Sequence, residues 1–232
     1  MTEIPTSLIP PNDAARLQAL DRYQVLDARS EKALDDVVAA AAHLFGVSNA
    51  MLSLVEENRV LVKAPYNLPV AIERIPRQQS LCSATILQDD TVVFEDLRVN
   101  SAPGIDISLL EQLGLRFYAG HSLRTADGHN IGSLCLYDGL PRSFSPAERT
   151  LLAALARLVM RLLELRRVLG ADTARTAVLW EPVYRVVGAQ LVRLTALSAP
   201  PAPTPLPDAT ARAAGAIVDI TEQLVNAALR RA

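Results

Sequence analysis

One stretch limits the possible folds of this chain more than any other: residues 115–138, LRFYAGHSLRTADGHNIGSLCLYD, which read as two strands joined by a turn. Thr125-Ala126-Asp127-Gly128 supplies an Asp-Gly pair that tolerates positive φ, and the flanking runs carry aromatic and β-branched residues that suit a pleated surface. Side chains alternate across a strand. Tyr118, Gly120 and Ser122 therefore share one face of the first strand, and Leu115, Phe117, Ala119 and Leu123 the other. In the second strand Ser133, Cys135 and Tyr137 separate from Leu134 and Leu136 in the same way. One face is greasy and suits a packed helix layer; the other is small and mixed and could floor a pocket. Period alone leaves open which face of one strand matches which face of its neighbour.

Upstream, an extended start at Ile9-Pro10-Pro11 gives way to a short helix capped by Asn12 or Asp13, carrying Leu17 and Leu20 and ending near Tyr23. Ser30 caps a second helix, whose stripe of Leu34, Val37, Val38, Ala41, Leu44 and Phe45 stops at Gly46. Residues 49–55 and 59–64 predict another hairpin around Glu56-Glu57-Asn58. Prolines from Pro65 onward forbid long regular structure before Ser80, which caps a short helix holding Cys82 and Ile86 ahead of a strand over 91–94. A loop with Pro103-Gly104 and a short helix over 108–114 lead into the central hairpin. Hairpins mixed with helices predict an α+β fold, a central antiparallel sheet flanked by helices.

Downstream, Ser145-Pro146-Ala147-Glu148 combines a capping Ser, Pro at the first helical position and Glu where a capping box wants it. Leu151, Leu155, Leu158, Leu162, Leu165 and Leu169 follow at alternating spacings of four and three, with Leu152, Val159 and Leu163 as an adjoining stripe. Two stripes imply two contacts, one with the sheet and one with another helix. Beyond Gly170 the chain favours helix to Leu179, and Glu181-Pro182 marks a kink or a fresh start before Val183, Val186, Val187, Leu191 and Leu194. A proline-rich linker, 199–207, precedes a last helix capped by Asp208, with Ile217, Ile220, Leu224, Ala228, Val218 and Val225 on one broad apolar face. The division is 1–168 for the domain and 169–232 for a C-terminal helical extension.

Half of the residues are hydrophobic, ample for a core, and 23 basic against 25 acidic residues leave a net charge of −2. With no basic stripe to neutralise phosphates, nucleic acid is not expected as a partner. Two cysteines far apart, no signal peptide and no long uncharged apolar run point to a reduced, cytoplasmic setting and no membrane partner.

Several short motifs in register carry a family resemblance. Arg116-Phe117-Tyr118-Ala119-Gly120, Gly132-Ser133-Leu134-Cys135-Leu136-Tyr137-Asp138, Leu44-Phe45-Gly46-Val47, Ser53-Leu54-Val55-Glu56, Ser80-Leu81-Cys82 and Ser145-Pro146-Ala147-Glu148 resemble the core, opening and closing helix of bacterial GAF domains. So does Arg22-Tyr23-Gln24-Val25-Leu26-Asp27, and the likeness spans about residues 10–168. It implies a GAF-like fold and a regulatory role in bacterial signal transduction. Where relatives carry a His two residues after the helix Cys, an aromatic near position 61 and an Asn-Pro loop, this chain has Ala84, Leu61 and Asn100-Ser101-Ala102-Pro103, which implies an altered pocket.

Catalytic chemistry finds no support in the residues. Cys82 and Cys135 lack neighbouring bases and the cysteine spacing of the methionine sulfoxide reductases of this fold, and neither is followed by the His of bilin-attaching members. His43 sits on or beside a helix stripe without a second ligand at i+4, so no metal is inferred, and His121 and His129 suit a surface or pocket-rim role. The C-terminal helices hold no His to accept a phosphoryl group.

Two functional readings follow. In the first, a non-catalytic sensory module binds an unidentified small molecule in a modest cavity lined by Cys82, Phe94, Tyr118, Ser122, Ser133, Cys135 and Tyr137, with no cofactor assignable. In the second, the pocket is degenerate and a dimeric adaptor grips a signalling protein with its tail helices. Six leucines in unbroken register cannot all face one sheet, which predicts a parallel homodimer through residues 145–169. The competing arrangement folds the tail over that seam within one chain, with Val183, Val187, Ile217 and Leu224 as the cover.

Overall fold

The computed structural model describes residues 7–23, 32–170, 176–197 and 204–232. Its strands are β1 (Asn49–Val55), β2 (Arg59–Tyr66), β3 (Arg74–Pro76), β4 (Val92–Phe94), β5 (Phe117–Arg124) and β6 (Asn130–Asp138). Its helices are α1 (Asp13–Asp21), α2 (Lys32–Phe45), α3 (Leu81–Thr85), α4 (Ser108–Gln112), α5 (Pro146–Leu169), α6 (Glu181–Thr195) and α7 (Asp208–Leu229). All strand pairs are antiparallel, in the order β3-β2-β1-β6-β5-β4, so the hairpin expected from the sequence lies next to the centre of an α+β sheet.

The hairpin register opposes Tyr118 to Tyr137, Gly120 to Cys135 and Ser122 to Ser133, so the two mixed faces coincide. At the turn only Gly128 takes positive φ, +87°, while Thr125 N–H donates to the His129 carbonyl at 2.9 Å. Leu115 departs from expectation. The strand begins at Phe117, and Leu115 N–H instead donates to the Leu110 carbonyl after α4, which turns its side chain into the core on the mixed side. β3 also went unforeseen: three residues at the sheet edge, where Pro76 costs no central ladder bond.

Each face of the sheet has its own core. Phe117, Ala119, Leu123, Leu134 and Leu136 pack with α2, α5 and the tail helices, and the whole predicted stripe of α2 is buried there. Gly46 at φ +62° ends α2, whereas the Ser30 cap lies outside the described residues, as do residues 24–27 and 198–203. At α1 neither expected cap forms; the Asp13 carboxylate turns back to Arg16.

The α5 capping box is complete: the Ser145 hydroxyl accepts from Glu148 N–H at 3.2 Å, and Glu148 Oε2 accepts from Ser145 N–H at 2.7 Å. All six leucines of the seam are buried within the single chain. α5 meets β5 on one side and α7 on the other, while α6 rests on α2 and α7. Val187 and Ile217 are buried as the competing arrangement required, and Val183 partly so; Leu224 stays 41% exposed. α7, which packs on α5, buries Ala211, Ala214, Val218, Thr221, Val225 and Ala228 at alternating spacings of three and four, with Ile217 beside them. Small side chains there allow the helix to lie close on the leucines. Asp208 is the first helical residue and makes no cap bond.

The outward leucines that predicted a homodimer therefore have a partner inside the chain. Leu158→Glu combined with Leu165→Glu is expected to abolish cooperative thermal unfolding followed by circular dichroism, each charge costing at least about 3 kcal/mol, at unchanged mass by light scattering. A folded double variant of lower mass than the wild type would show that the seam lies between chains.

Candidate functional site

The mixed face of the hairpin is roofed by α3, which Ser80 starts by accepting Cys82 N–H on its hydroxyl at 3.4 Å. That places Cys82 Sγ 3.3 Å from Cys135 Sγ and 3.8 Å from Tyr137 Oη. Tyr118 Oη reaches back to Thr85 Oγ1 at 2.5 Å and Cys135 Sγ at 3.4 Å. Ser133 Oγ stands 2.9 Å from both Cys135 Sγ and Ser53 Oγ, the residue directly opposite on β1. Ser122 Oγ lies 2.9 Å from the carbonyl oxygens of Thr85 and Gln88, fixing the turn after α3. The Phe94 ring tilts on Tyr118 with centroids 6.1 Å apart.

All seven residues singled out from the sequence thus gather on one face, and all are buried. Of the two cavities described, one takes only Tyr137 of the seven into its wall and the other, beside residues 7–12, takes none. Small side chains at Gly120, Ser122 and Ser133 leave room, but Tyr118 fills it: a Cβ on Gly120 would sit 2.2 Å from Tyr118 Oη and 3.0 Å from Thr85 Oγ1. What remains is an apolar void of about 30 Å³ beside the cluster, under residues 68–75 and α4, lined by Met51, Leu68, Leu81, Leu110, Leu115 and Tyr137 among others. That is room for about one water molecule. Met51 could have been found by counting two back from Ser53 along β1; Leu68 and Leu110 lie on connections whose path strand periodicity does not report.

Burial pushes Cys135 well above the usual thiol range, and the Cys82 sulfur adds to the rise. At Cys82 burial also raises the value, but donors from Cys135, Ser133, Ser53 and Ser80 outweigh it and the net direction is down. Tyr118 and Tyr137 are held well above their ordinary values, chiefly by burial. Of the two thiols Cys82 would lose its proton first, yet among the described residues its partners are hydroxyls and a thiol rather than a base.

The histidines stand elsewhere. His43 is exposed on α2 with Nε2 3.1 Å from Tyr66 Oη. His121 lies on the helix-side face, not the pocket rim: Nδ1 is 2.9 Å from Thr91 Oγ1, and burial, with Arg157 nearby, lowers its pKa. His129 sits in the turn, 3.4 Å from Asn12 Nδ2. No group of three or more His, Cys, Asp or Glu able to hold a metal occurs among the described residues.

The family model of the GAF domain matches residues 29–163. Among curated proteins, cyclic di-GMP phosphodiesterase PA2567 of Pseudomonas aeruginosa is 29% identical over 152 residues, 65% of this chain and 26% of that protein, so the chain spans about a quarter of its relative's length. Among solved structures, the GAF domain of an Acinetobacter phosphoenolpyruvate-protein phosphotransferase aligns with TM-score 0.50 at 18% identity, covering 67% of this chain and 97% of that one. A free methionine-R-sulfoxide reductase from Neisseria meningitidis, solved with its substrate, aligns with TM-score 0.46 at 21% identity over 64% and 87% of the two chains.

Tyr118 over Gly120 makes a specific energetic prediction. Gly120→Ala is expected to lower stability by about 1–3 kcal/mol in urea denaturation, the range for an overpacked core. In Tyr118→Leu, which removes both the hydroxyl and the ring carbon Cζ that the new Cβ would meet, the same substitution should cost clearly less, a coupling of at least about 0.5 kcal/mol. Additive costs would place the Tyr118 ring elsewhere.

Proposed function

The chain belongs to the GAF domain family, and from that premise we propose that it is a non-catalytic regulatory module of bacterial signal transduction that works through protein contact, with its sheet-side pocket closed. The observation that carries this reading is the filled mixed face: Tyr118 occupies the volume over Gly120, and the residual void of about 30 Å³ is far below the several hundred Å³ of a metabolite pocket. Small-molecule sensing would require α3 or residues 68–75 to move outward before anything could enter.

The non-catalytic part rests on the thiol pair, whose surroundings supply no base, and on the absence of a nucleophile-base pair in the cluster. The phosphodiesterase activity in the name of the Pseudomonas relative belongs to a protein of which only 26% is matched. Residues 1–168 form the GAF-like domain in this reading and 169–232 an extension that docks on it. Among the described residues no helix is long and apolar enough to cross a membrane, which accords with a cytoplasmic setting. A signalling protein is the proposed partner, and α6 and α7 offer it the exposed side chains Val186, Val192, Ile220 and Leu224. A homodimer through residues 145–169 would need α7 to leave the seam first.

Native mass spectrometry of the purified protein tests this directly. The expected result is the bare chain of 25.1 kDa, or a whole multiple of it, without additional mass. A stoichiometric small molecule retained on the wild type, and lost in Ser133→Phe, would overturn the closed-pocket reading.

A further inference from the structure

The inner face of α7 packs on α5, and its outer face is apolar as well. Ala209, Ala213, Ala216, Ile220, Leu224 and Ala227 recur at intervals of three and four residues, so at 3.6 residues per turn all lie within about 40° of Ile220 around the helix axis. Ile220 is 47% and Leu224 41% exposed; Ala209, Ala213 and Ala216 are exposed too, and Ala227 is half-buried. Leu224 stands one turn from Ile220, which makes the two a single patch rather than scattered side chains. A surface helix normally carries one apolar stripe, so a helix with two has a second contact to make.

The outer stripe is symmetric about Ile220. If a second α7 is laid antiparallel with the two Ile220 side chains on a two-fold axis, Ala216 stands opposite the partner's Leu224 and Ala213 opposite the partner's Ala227. Large side chains then meet small ones, and the isoleucines meet only each other. Charge selects the same direction. Asp208 opens α7 and Arg230 follows its end; both are exposed, and they lie on one flank of the stripe within about 40° of each other. Antiparallel pairing brings Asp208 of each chain to within about 3 Å, measured along the axis, of the partner's Arg230, at both ends of the contact. Parallel pairing would instead set Asp208 against Asp208 and Arg230 against Arg230. Arg212 also approaches the partner's Arg230; the carbonyl end of the partner's helix, where a cation is favoured, and the nearby Asp208 offset this. Asp219 lies close to the axis and brings its own counter-charge, Arg157 at 3.9 Å.

We propose that a second copy of this chain covers the outer face of α7, antiparallel, in an isologous contact with Ile220 on the two-fold axis. This rests on the reading of the protein as one that works through protein contact, and it leaves Val186 and Val192 of α6 for a signalling protein. One helix paired with its copy is a small interface, so the dimer forms reversibly.

Sedimentation equilibrium of the full-length protein tests this. The expected result is a monomer–dimer equilibrium between about 1 and 200 µM, the range of a small interface. Ile220→Glu places two like charges on the axis and should weaken the dimer at least about tenfold, with the melting temperature of the monomer unchanged because the site is exposed. Ala213→Cys and Ala227→Cys report the direction independently: mixed, they should form an interchain disulfide under mild oxidation at least about tenfold faster than either variant alone, while Cys82 and Cys135 stay buried. A wild type that is monomeric throughout that range overturns the proposal, and so does a dimer indifferent to Ile220→Glu, which would lie on another face. Faster cross-linking of each cysteine variant with itself than with the other would show parallel pairing and overturn it as well. None of these results alters the mass retained on the mixed face, so this proposal and the closed-pocket reading fail separately.

Discussion

The ion pair between Arg142 and Glu148 fixes where three parts of the structure that share the helix-side core meet: the end of α2, the start of α5 and the return of the tail. Both side chains are fully buried, and the guanidinium Nη2 meets Glu148 Oε1 at 2.5 Å. Arg142 Nη1 donates to the Phe45 carbonyl at 2.5 Å, which satisfies the C-terminal end of α2, and its guanidinium lies over the rings of Phe117 and Phe144. Glu148 completes the cap of α5 with Oε2 and, through Oε1, accepts the Leu206 N–H just before α7. One carboxylate therefore addresses the end of one helix, the start of the next and the return of the tail. Breaking such a pair leaves an uncompensated charge and costs about 3–5 kcal/mol, more than its formation gains over an apolar substitute. Its value lies in fixing geometry: α5 can start at only one place, and the tail can come back to only one place.

With α5 anchored in this way, the two faces of the sheet diverge in character. The helix side is large and apolar, formed by α2, α5 and α7 around Phe117, Leu134 and Leu136. The other side is thin, covered by the short helices α3 and α4 and by loops, with Tyr118, Tyr137 and two thiols in contact at its centre. The mixed side therefore has the thinner cover and the helix side the thicker one. Tyr118 is the piece that decides the state of that side, because its hydroxyl holds Thr85 of α3 and fills the space over Gly120 at the same time.

The sheet and its faces were legible in the sequence because alternation over residues 117–123 and 131–137 leaves little choice. The capping box at Ser145 and the stop at Gly46 were legible because each rests on local backbone chemistry. The seven site residues were likewise correctly brought to one face, since strand period and the Ser80 cap suffice to place them. Whether that face is hollow was not legible: it depends on the rotamer of Tyr118, which no pattern reports. The cover of the leucine seam was legible in part: Val187 and Ile217 are buried as expected and Val183 partly so, while Leu224 stays exposed and α7 also buries Ala211, Ala214, Val218, Thr221, Val225 and Ala228. The buried arginines left almost no sequence signal, since Arg16, Arg77 and Arg142 each find their partners through contacts distant in the chain or in loops.

The tail helices pack on α2 and α5 and are tied to the start of α5 at Glu148, so the tail and the sheet domain are expected to open as one cooperative unit. Native-state amide hydrogen exchange measures this element by element. The most protected amides of α7, between residues 214 and 225, are expected to share the limiting opening free energy of those of α5 and of β6 to within about 1 kcal/mol. Exchange of α7 with an opening free energy several kcal/mol below that of β6, while α5 stays protected, would show that the tail is a separate, loosely docked unit and would contradict it.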